Sequence, residues 1–292
     1  MGRHQPAGYG PPHRDQRARP RPRMGSSGTA AGNAHAGARL HPAYGKGGGR
    51  LMRDITVIFR REFGAYFNSP IASIFIIVFL FLTSGFYANG FFLAGVVDMR
   101  DFFSSLPLFL IFFIPALTMR LWAEEQRLGT FELLMTLPMK PFHIVLGKYL
   151  AALLFYAIAL GCTLTIPLTL AWIGSPDPGA IFCGYLGAFL LGGLYLSIGI
   201  FVSGLFKDQI AAFVLTLLAC FFFFLSGTPF VAALLDGWIP GAGSFLQEAF
   251  GLARHFDGIQ RGVIGVDNIV FFVSFSAAFL LLNTHSLEGR KY

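Results

Sequence analysis

The sequence predicts an all-α polytopic membrane protein: six transmembrane helices, preceded by an amphipathic helix lying at the membrane surface. Three observations carry that reading. The chain is 54% hydrophobic and only 13% charged, about half the charged share of an ordinary globular domain. Its apolar residues are gathered into runs, several of which reach the roughly 20 residues that cross a bilayer as a helix. Once six spans are drawn, Arg and Lys fall mostly on one side of them.

Residues 1–51 show no hydrophobic periodicity, and Gly, Pro, Arg, Ala and His dominate them. Such a stretch cannot bury enough apolar surface to fold, and it lacks the apolar core of a signal peptide. It holds nine Arg/Lys and one acidic residue, Asp15, whereas the rest of the chain holds 13 basic and 14 acidic residues. The high net charge therefore belongs to this stretch, and nucleic-acid binding by the body is not supported. Two expectations stand for 1–51: a disordered basic tail able to meet anionic lipid, or residues ahead of a true start at Met52. Residues 52–292 form the six-span domain.

In 52–68, Ile55, Ile58, Phe59, Phe63 and Tyr66 or Phe67 recur at helical spacing, and Arg60, Arg61 and Glu62 interrupt them. That pattern predicts an interfacial helix, or else the solvated start of the first span. Ser69-Pro70 marks a helix start. The spans follow at 71–92, 102–119, 149–173, 180–203, 210–230 and 269–282, the last completed by 263–268. Pro107, Pro115 and Pro167 lie inside spans, where kinks rather than breaks are expected. The turn GSPDPG at 174–179 separates the third and fourth spans. The long loop 231–268 contains an apolar stretch, 245–256, that suits a short interfacial helix, with Trp238 as an interface anchor.

With six spans, both termini lie on one side together with 120–148 and Lys207. That side carries ten Arg/Lys and the other three, Arg100, Arg254 and Arg261. The bias places both ends and the 120–148 segment in the cytoplasm.

The segment 120–148 is the longest charged interruption in the apolar sequence. It predicts two short helices broken at Gly129, with Thr130 capping the second and Phe131, Leu134 and Met135 forming an apolar stripe. Pro138 ends that helix and Pro141 starts the next, with Phe142, Ile144 and Val145. The stripe suits a partner's groove, or packs against the protein's own spans. Glu124 and Glu125 are adjacent and point about 100° apart on a helix, so they do not form a catalytic pair. Their expected role is pairing with Arg120, Arg127 or a partner's basic residue.

Along the fourth span, Gly184, Ala188 and Gly192 recur every four residues, and Gly199 and Ser203 repeat the interval. Small residues on one face let helices approach closely, within the chain or across a dimer. The spans hold almost no ionisable residue, which disfavours ion pumps and channels. Cys162, Cys183 and Cys220 sit in apolar segments without a C-x-x-C partner, so neither metal nor redox chemistry is indicated. The nucleotide-binding G-x-x-x-x-G-K-[ST] loop is missing, as are H-E-x-x-H and G-x-S-x-G. No catalytic residue, cofactor site or metal site is expected in the chain.

From Met52 onward the chain resembles permease subunits of type-2 ABC exporters, in particular the gliding-motility permease and its bacterial relatives. RREFGAYFNSP at 60–70 looks like the elbow helix and its turn into the first span. At 115–153, PALTMRLWAEEQRLGTFELLMTLPMKPFHIVLGKYLAAL resembles the family element EE-x-R-x-G-T-x-E-x-L-x-x-x-P followed by GK. Glu124, Glu125, Arg127, Gly129, Thr130, Glu132, Leu134, Pro138, Gly147 and Lys148 match it. The order of six spans with a long final external loop is the third likeness. The 1–51 stretch has no counterpart in that pattern.

The resemblance implies a bacterial cytoplasmic membrane location and a 120–148 segment that couples to a separate ABC ATPase, which holds the ATP and Mg2+. It further implies a second permease copy or a homologous permease, and an accessory membrane protein in the gliding-motility relatives. Phe131 and Phe142 join the matched residues as candidate contacts with the ATPase. The readings set beside it are a non-transporting membrane scaffold and an intramembrane enzyme.

Overall fold

The computed structural model describes residues 47–95, 98–136, 139–262 and 265–289. Residues 1–46 and Pro138, on which two expectations fall, lie outside the described residues, as do Val263, Arg290 and Lys291. Of the 1–51 stretch expected to lack structure, 47–51 are helical and continue into the amphipathic helix expected from Met52. Among the described residues the fold is all-helical, with no strand.

Six helical stretches are long and apolar enough to cross a membrane: Ser73–Leu93, Arg100–Arg127, Pro141–Ile173, Pro178–Leu205, Gln209–Ser226 and Val266–Glu288. They build on α1 (Gly47–Phe67), α2 (Pro70–Ala94), α3 (Arg100–Thr118), α4 (Arg120–Arg127), α5 (Thr130–Thr136), α6 (Pro141–Cys162) and α7 (Thr165–Ile173). The chain continues through α8 (Pro178–Leu205), α9 (Gln209–Ser226), α10 (Pro229–Asp236), α11 (Ala242–Phe250), α12 (Leu252–Gln260) and α13 (Val266–Glu288).

Local chemistry sets most boundaries. Pro occupies the first turn of α2, α6, α8 and α10, where its missing N–H costs nothing. The Asp177 and Asp208 carboxylates accept the Gly179 and Ile210 amides at 2.9 and 2.8 Å, capping α8 and α9. Gly129 separates α4 from α5 at φ +72°, a left-handed conformation that disfavours a side chain. The expected cap at Thr130 is not made. Its hydroxyl donates back to the Glu125 carbonyl at 3.4 Å instead of accepting a helix amide.

The prolines behave differently from one another. Pro107 and Pro115 lie inside the unbroken α3. Pro167 accompanies a break, because α6 ends at Cys162 and α7 begins at Thr165. A proline ring crowds the carbonyl four residues earlier, here Thr163, which lies in that break. The apolar stretch expected as one helix at 245–256 is two, α11 and α12, divided at Gly251. Asp236 ties α10 to α11 by accepting the Gly243 amide at 2.7 Å.

One helix is central. In α8, 78% of the apolar window is buried within the protein, against 17% in α2. Around α8 pack α3, α4, α6, α9, α12 and α13. The outward faces of α2 and α9 expose Ile77, Phe81, Phe86, Leu218 and Phe222, as suits helices whose solvent is lipid. The short α12 buries Leu252, Phe256 and Ile259, and Ile259 lies over Gly187 of α8.

Candidate functional site

The glycine stripe of α8 fixes where the other helices lie. A Cβ at Gly184 would enter the Phe103 ring, one at Gly192 the Tyr156 ring, and one at Gly199 the Thr118 side chain. Ala188 is fully buried, and its carbonyl accepts the Tyr156 hydroxyl at 2.7 Å. The small residues are therefore occupied by α3 and α6 of the same chain.

Ser203 does something that small size does not explain. Its Oγ accepts the Trp122 and Ala123 amides at 3.2 and 3.3 Å and donates to the Met119 carbonyl at 3.2 Å. The first amides of a helix lack intrahelical partners. Ser203 of α8 supplies two of them for α4. Gln126 Nε2 adds a bond to the Gly204 carbonyl at 2.8 Å. The junction of α3 and α4 is thus pinned to the end of the central helix.

On the other flank, α1 runs parallel to α6. Asp54 meets His143 at 3.4 Å, Ile58 meets Gly147, Glu62 meets Lys148 at 3.0 Å, and Tyr66 stacks on Phe155 at 4.9 Å. A Cβ at Gly147 would sit 2.8 Å from Ile58, so glycine permits this approach. Glu62 shares the inward stripe of α1 with Ile55, Ile58 and Tyr66 because Lys148 receives it there.

Lys148 is the hub. It is fully buried, and two of its three donors are taken by hydrogen bonds while a second carboxylate lies within ion-pair distance. Nζ lies 3.0 Å from Glu62 Oε1, 3.1 Å from Glu125 Oε1 and 2.8 Å from the Leu121 carbonyl. The Trp122 ring lies 4.8 Å from it, within cation–π range. Arg61 bonds to both Glu62 and Glu125 from the outer side. Two cations and two carboxylates balance one another. Burial raises the Glu62 pKa, but Lys148 and Arg61 outweigh it and hold the carboxyl below its usual range. Burial works against the Arg61 charge, and Glu62 and Glu125 more than offset it, so its pKa rises. One clamp therefore joins α1, α4 and α6.

The sequence expectations for 120–148 divide accordingly. Glu124 pairs with Arg120 at 3.1 Å. Glu125 does not pair with Arg120 or Arg127; among the described residues its partners are Arg61 and Lys148, contributed by other helices. Leu134 is buried, and Phe131 and Met135 are half-buried against the core, with Phe131 set edge-on to Trp122 at 5.9 Å. The Phe131–Leu134–Met135 stripe thus packs on the protein itself. Exposed in this segment, among the described residues, are Arg127, Leu128, Gly129, Thr130, Glu132, Leu133, Thr136, Lys140 and Phe142. Lys148 was visible as a matched GK residue, but only the fold brings Arg61 and Glu62 to it. A lysine bordering an apolar span was the available signal, since such residues face partners; the structure places it about two turns inside α6.

Among the described residues, no group of three or more His, Cys, Asp or Glu is placed to hold a metal ion. A family profile described as an ABC-2 family transporter protein matches residues 95–247, more than half of the chain. No curated protein matches the chain.

Proposed function

The chain belongs to the ABC-2 family of transporter proteins, and from that premise we propose that it is the membrane permease of an ATP-driven exporter in a bacterial cytoplasmic membrane. It moves substrate and hydrolyses nothing; a separate ATPase holds ATP and Mg2+. A second permease, identical or homologous, completes the path. Both termini and 120–148 face the cytoplasm, and α1 is the elbow helix at the membrane surface.

The observation that carries this reading is the two-sidedness of α4 and α5. Their outer face offers Arg127, Leu128, Glu132 and Leu133, and their inner face is tied to α1, α6 and α8 through Glu125 and Ser203. A push from an ATPase on the outer face reaches α1 and two spans, α6 and α8, through bonded contacts. Coupling of this kind needs an element with two arrangements that the partner biases. Phe142, exposed at the start of α6, extends the same face.

Docking is testable with surface substitutions. Leu133→Glu should weaken capture of the ATPase by about 2 kcal/mol or more if this leucine anchors the contact. Phe131→Ala should chiefly lower the permease's own stability, by about 1–3 kcal/mol, because its ring packs inward. Pull-down of the ATPase, run beside thermal unfolding of the isolated permease, separates these effects. Undiminished capture by both Leu128→Glu and Leu133→Glu would remove this face as the docking site.

Topology has its own measurement. With the native cysteines replaced, single cysteines at Arg127 and Trp238 should label from opposite sides of sealed vesicles. Both positions are exposed in the structure. Labelling from one side would overturn the six-span orientation.

A further inference from the structure

Between α1, α2, α3 and the start of α4 lies a groove with two chemically different ends. The apolar end, about 460 Å³, is walled by Phe75, Phe79, Leu108, Phe109, Phe112 and Phe113. The polar end, about 80 Å³, is lined by Glu62, Tyr66, Ser69, Arg120 and Glu124. Phe75 and Ala116 line both, so the two ends adjoin. The apolar end alone has the size of an ordinary ligand cleft, roughly 300–1,000 Å³. It opens on the outward face of α2, where Val78 and Leu82 are exposed.

We propose that this groove binds one amine-bearing, zwitterionic phospholipid of the surrounding bilayer, with its phosphate on Arg120 and an acyl chain among the phenylalanines. The apolar walls alone would not choose an occupant. The charges at the polar end do. Arg120 uses Nε to hold Glu124 at 3.1 Å, and its two Nη groups make no hydrogen bond to a described residue. A guanidinium fork of that kind matches a phosphate. The same wall carries two carboxylates, Glu62 and Glu124. Glu124 Oε2 faces Arg120, and its second oxygen makes no hydrogen bond to a described residue. Glu62 is already met by Lys148 and Arg61. The open charges are therefore one guanidinium and one carboxylate, Arg120 and Glu124, a balanced pair that disfavours a headgroup bringing only negative charge. That pair complements one that carries an ammonium beyond its phosphate. A transported solute without a tail would leave the aromatic end unfilled.

The occupied groove would wedge α2 against α3 beside the Lys148 clamp, because Glu62 belongs to both.

Native mass spectrometry of the full chain, supplied with phosphatidylethanolamine or phosphatidylglycerol in mixed micelles, tests it. The wild-type protein should retain one phosphatidylethanolamine and hold phosphatidylglycerol more weakly. Arg120→Gln should lower that retention about tenfold, the scale of one lost charge-assisted contact. Ala116→Phe, which fills the junction of the two ends without touching a charge, should lower it as far. Arg127→Gln, an exposed arginine outside the groove, should leave it unchanged. Equal retention of the two lipids would overturn the proposal. So would full retention by Ala116→Phe, a result that stands even if Arg120→Gln fails to fold.

Discussion

Replacing Lys148 by methionine should destabilise the permease by about 3–5 kcal/mol, the scale seen when one partner of a buried ion pair is removed. Methionine keeps most of the volume and loses the charge. Glu62 and Glu125 would then share Arg61 alone, and Arg61 is half-exposed. The Leu121 carbonyl would lose its donor as well. The loss comes from stranding carboxylates rather than from missing packing. Adding Glu62→Gln and Glu125→Gln to the same chain should therefore restore much of the melting temperature. A buried ionic cluster replaced as a whole is often near neutral in stability. Thermal unfolding of the single and triple variants decides it. A triple variant no more stable than Lys148→Met would mean that the clamp is mainly a packing feature.

Acid should tell the two proteins apart. The folded Glu62 carboxyl titrates below its ordinary value of 4.5, so it binds a proton more readily in the unfolded chain. The stability it contributes is present above that ordinary value and is lost as pH falls through the lower, folded one. In Lys148→Met the main opposing cation is gone, and protonation relieves a stranded charge instead of breaking a pair. The gap in melting temperature between wild type and variant should narrow as the buffer is taken below about pH 4.5. A gap that stays constant down through that window would remove the carboxylates from the explanation.

How far the sequence foretold this arrangement depends on the range of the interaction involved. The six spans were readable because bilayer thickness imposes a length on each apolar run, and the start of α2 because Pro70 acts within a turn of itself. Gly129 announced its own break for the same reason. The third and last spans were read too short: the helix started by Pro141 runs on through the apolar sequence as α6, and α13 continues to Glu288. The Asp177 and Asp208 caps were not read. The orientation of the Phe131–Leu134–Met135 stripe was not readable. A stripe at helical spacing fits a partner's groove and the chain's own core equally well, and only the position of Trp122 settles which one α5 meets. The clamp was the least readable feature. Glu62 and Lys148 lie 86 residues apart, and a charge on an amphipathic stripe looks like an interruption until its counter-ion is seen. Ser203 was legible as a small residue, but not as the acceptor of two α4 amides. That role depends on where the helix start at Arg120 is held against α8.

Gly192→Ala should cost about 1–3 kcal/mol, the usual penalty for overpacking a filled core, whereas Gly193→Ala next to it should be near neutral. The two glycines are adjacent on α8 and differ in what a methyl group would meet. At Gly192 it would run into the Tyr156 ring, which is fully buried and anchored through its hydroxyl to the Ala188 carbonyl. The ring can move only by breaking that bond. At Gly193 the methyl would lie 3.1 Å from the Tyr149 hydroxyl and 3.6 Å from Leu153 Cδ1, both the far ends of half-buried side chains, so the crowding is milder than against the Tyr156 ring. There the gain in helix propensity from glycine to alanine, about 0.5–1 kcal/mol, offsets the crowding. Tyr156→Leu added to Gly192→Ala should recover part of the loss, so the double variant should be more stable than the sum of the singles implies. A stripe serving a dimer seam predicts a different pattern: Gly192→Ala would change the oligomeric state and leave the unfolding of the monomer alone. Unfolding curves and light scattering on the four proteins distinguish the two roles. Unchanged unfolding of Gly192→Ala would show that α6 does not rest on that face of α8 as closely as the Tyr156 contact requires.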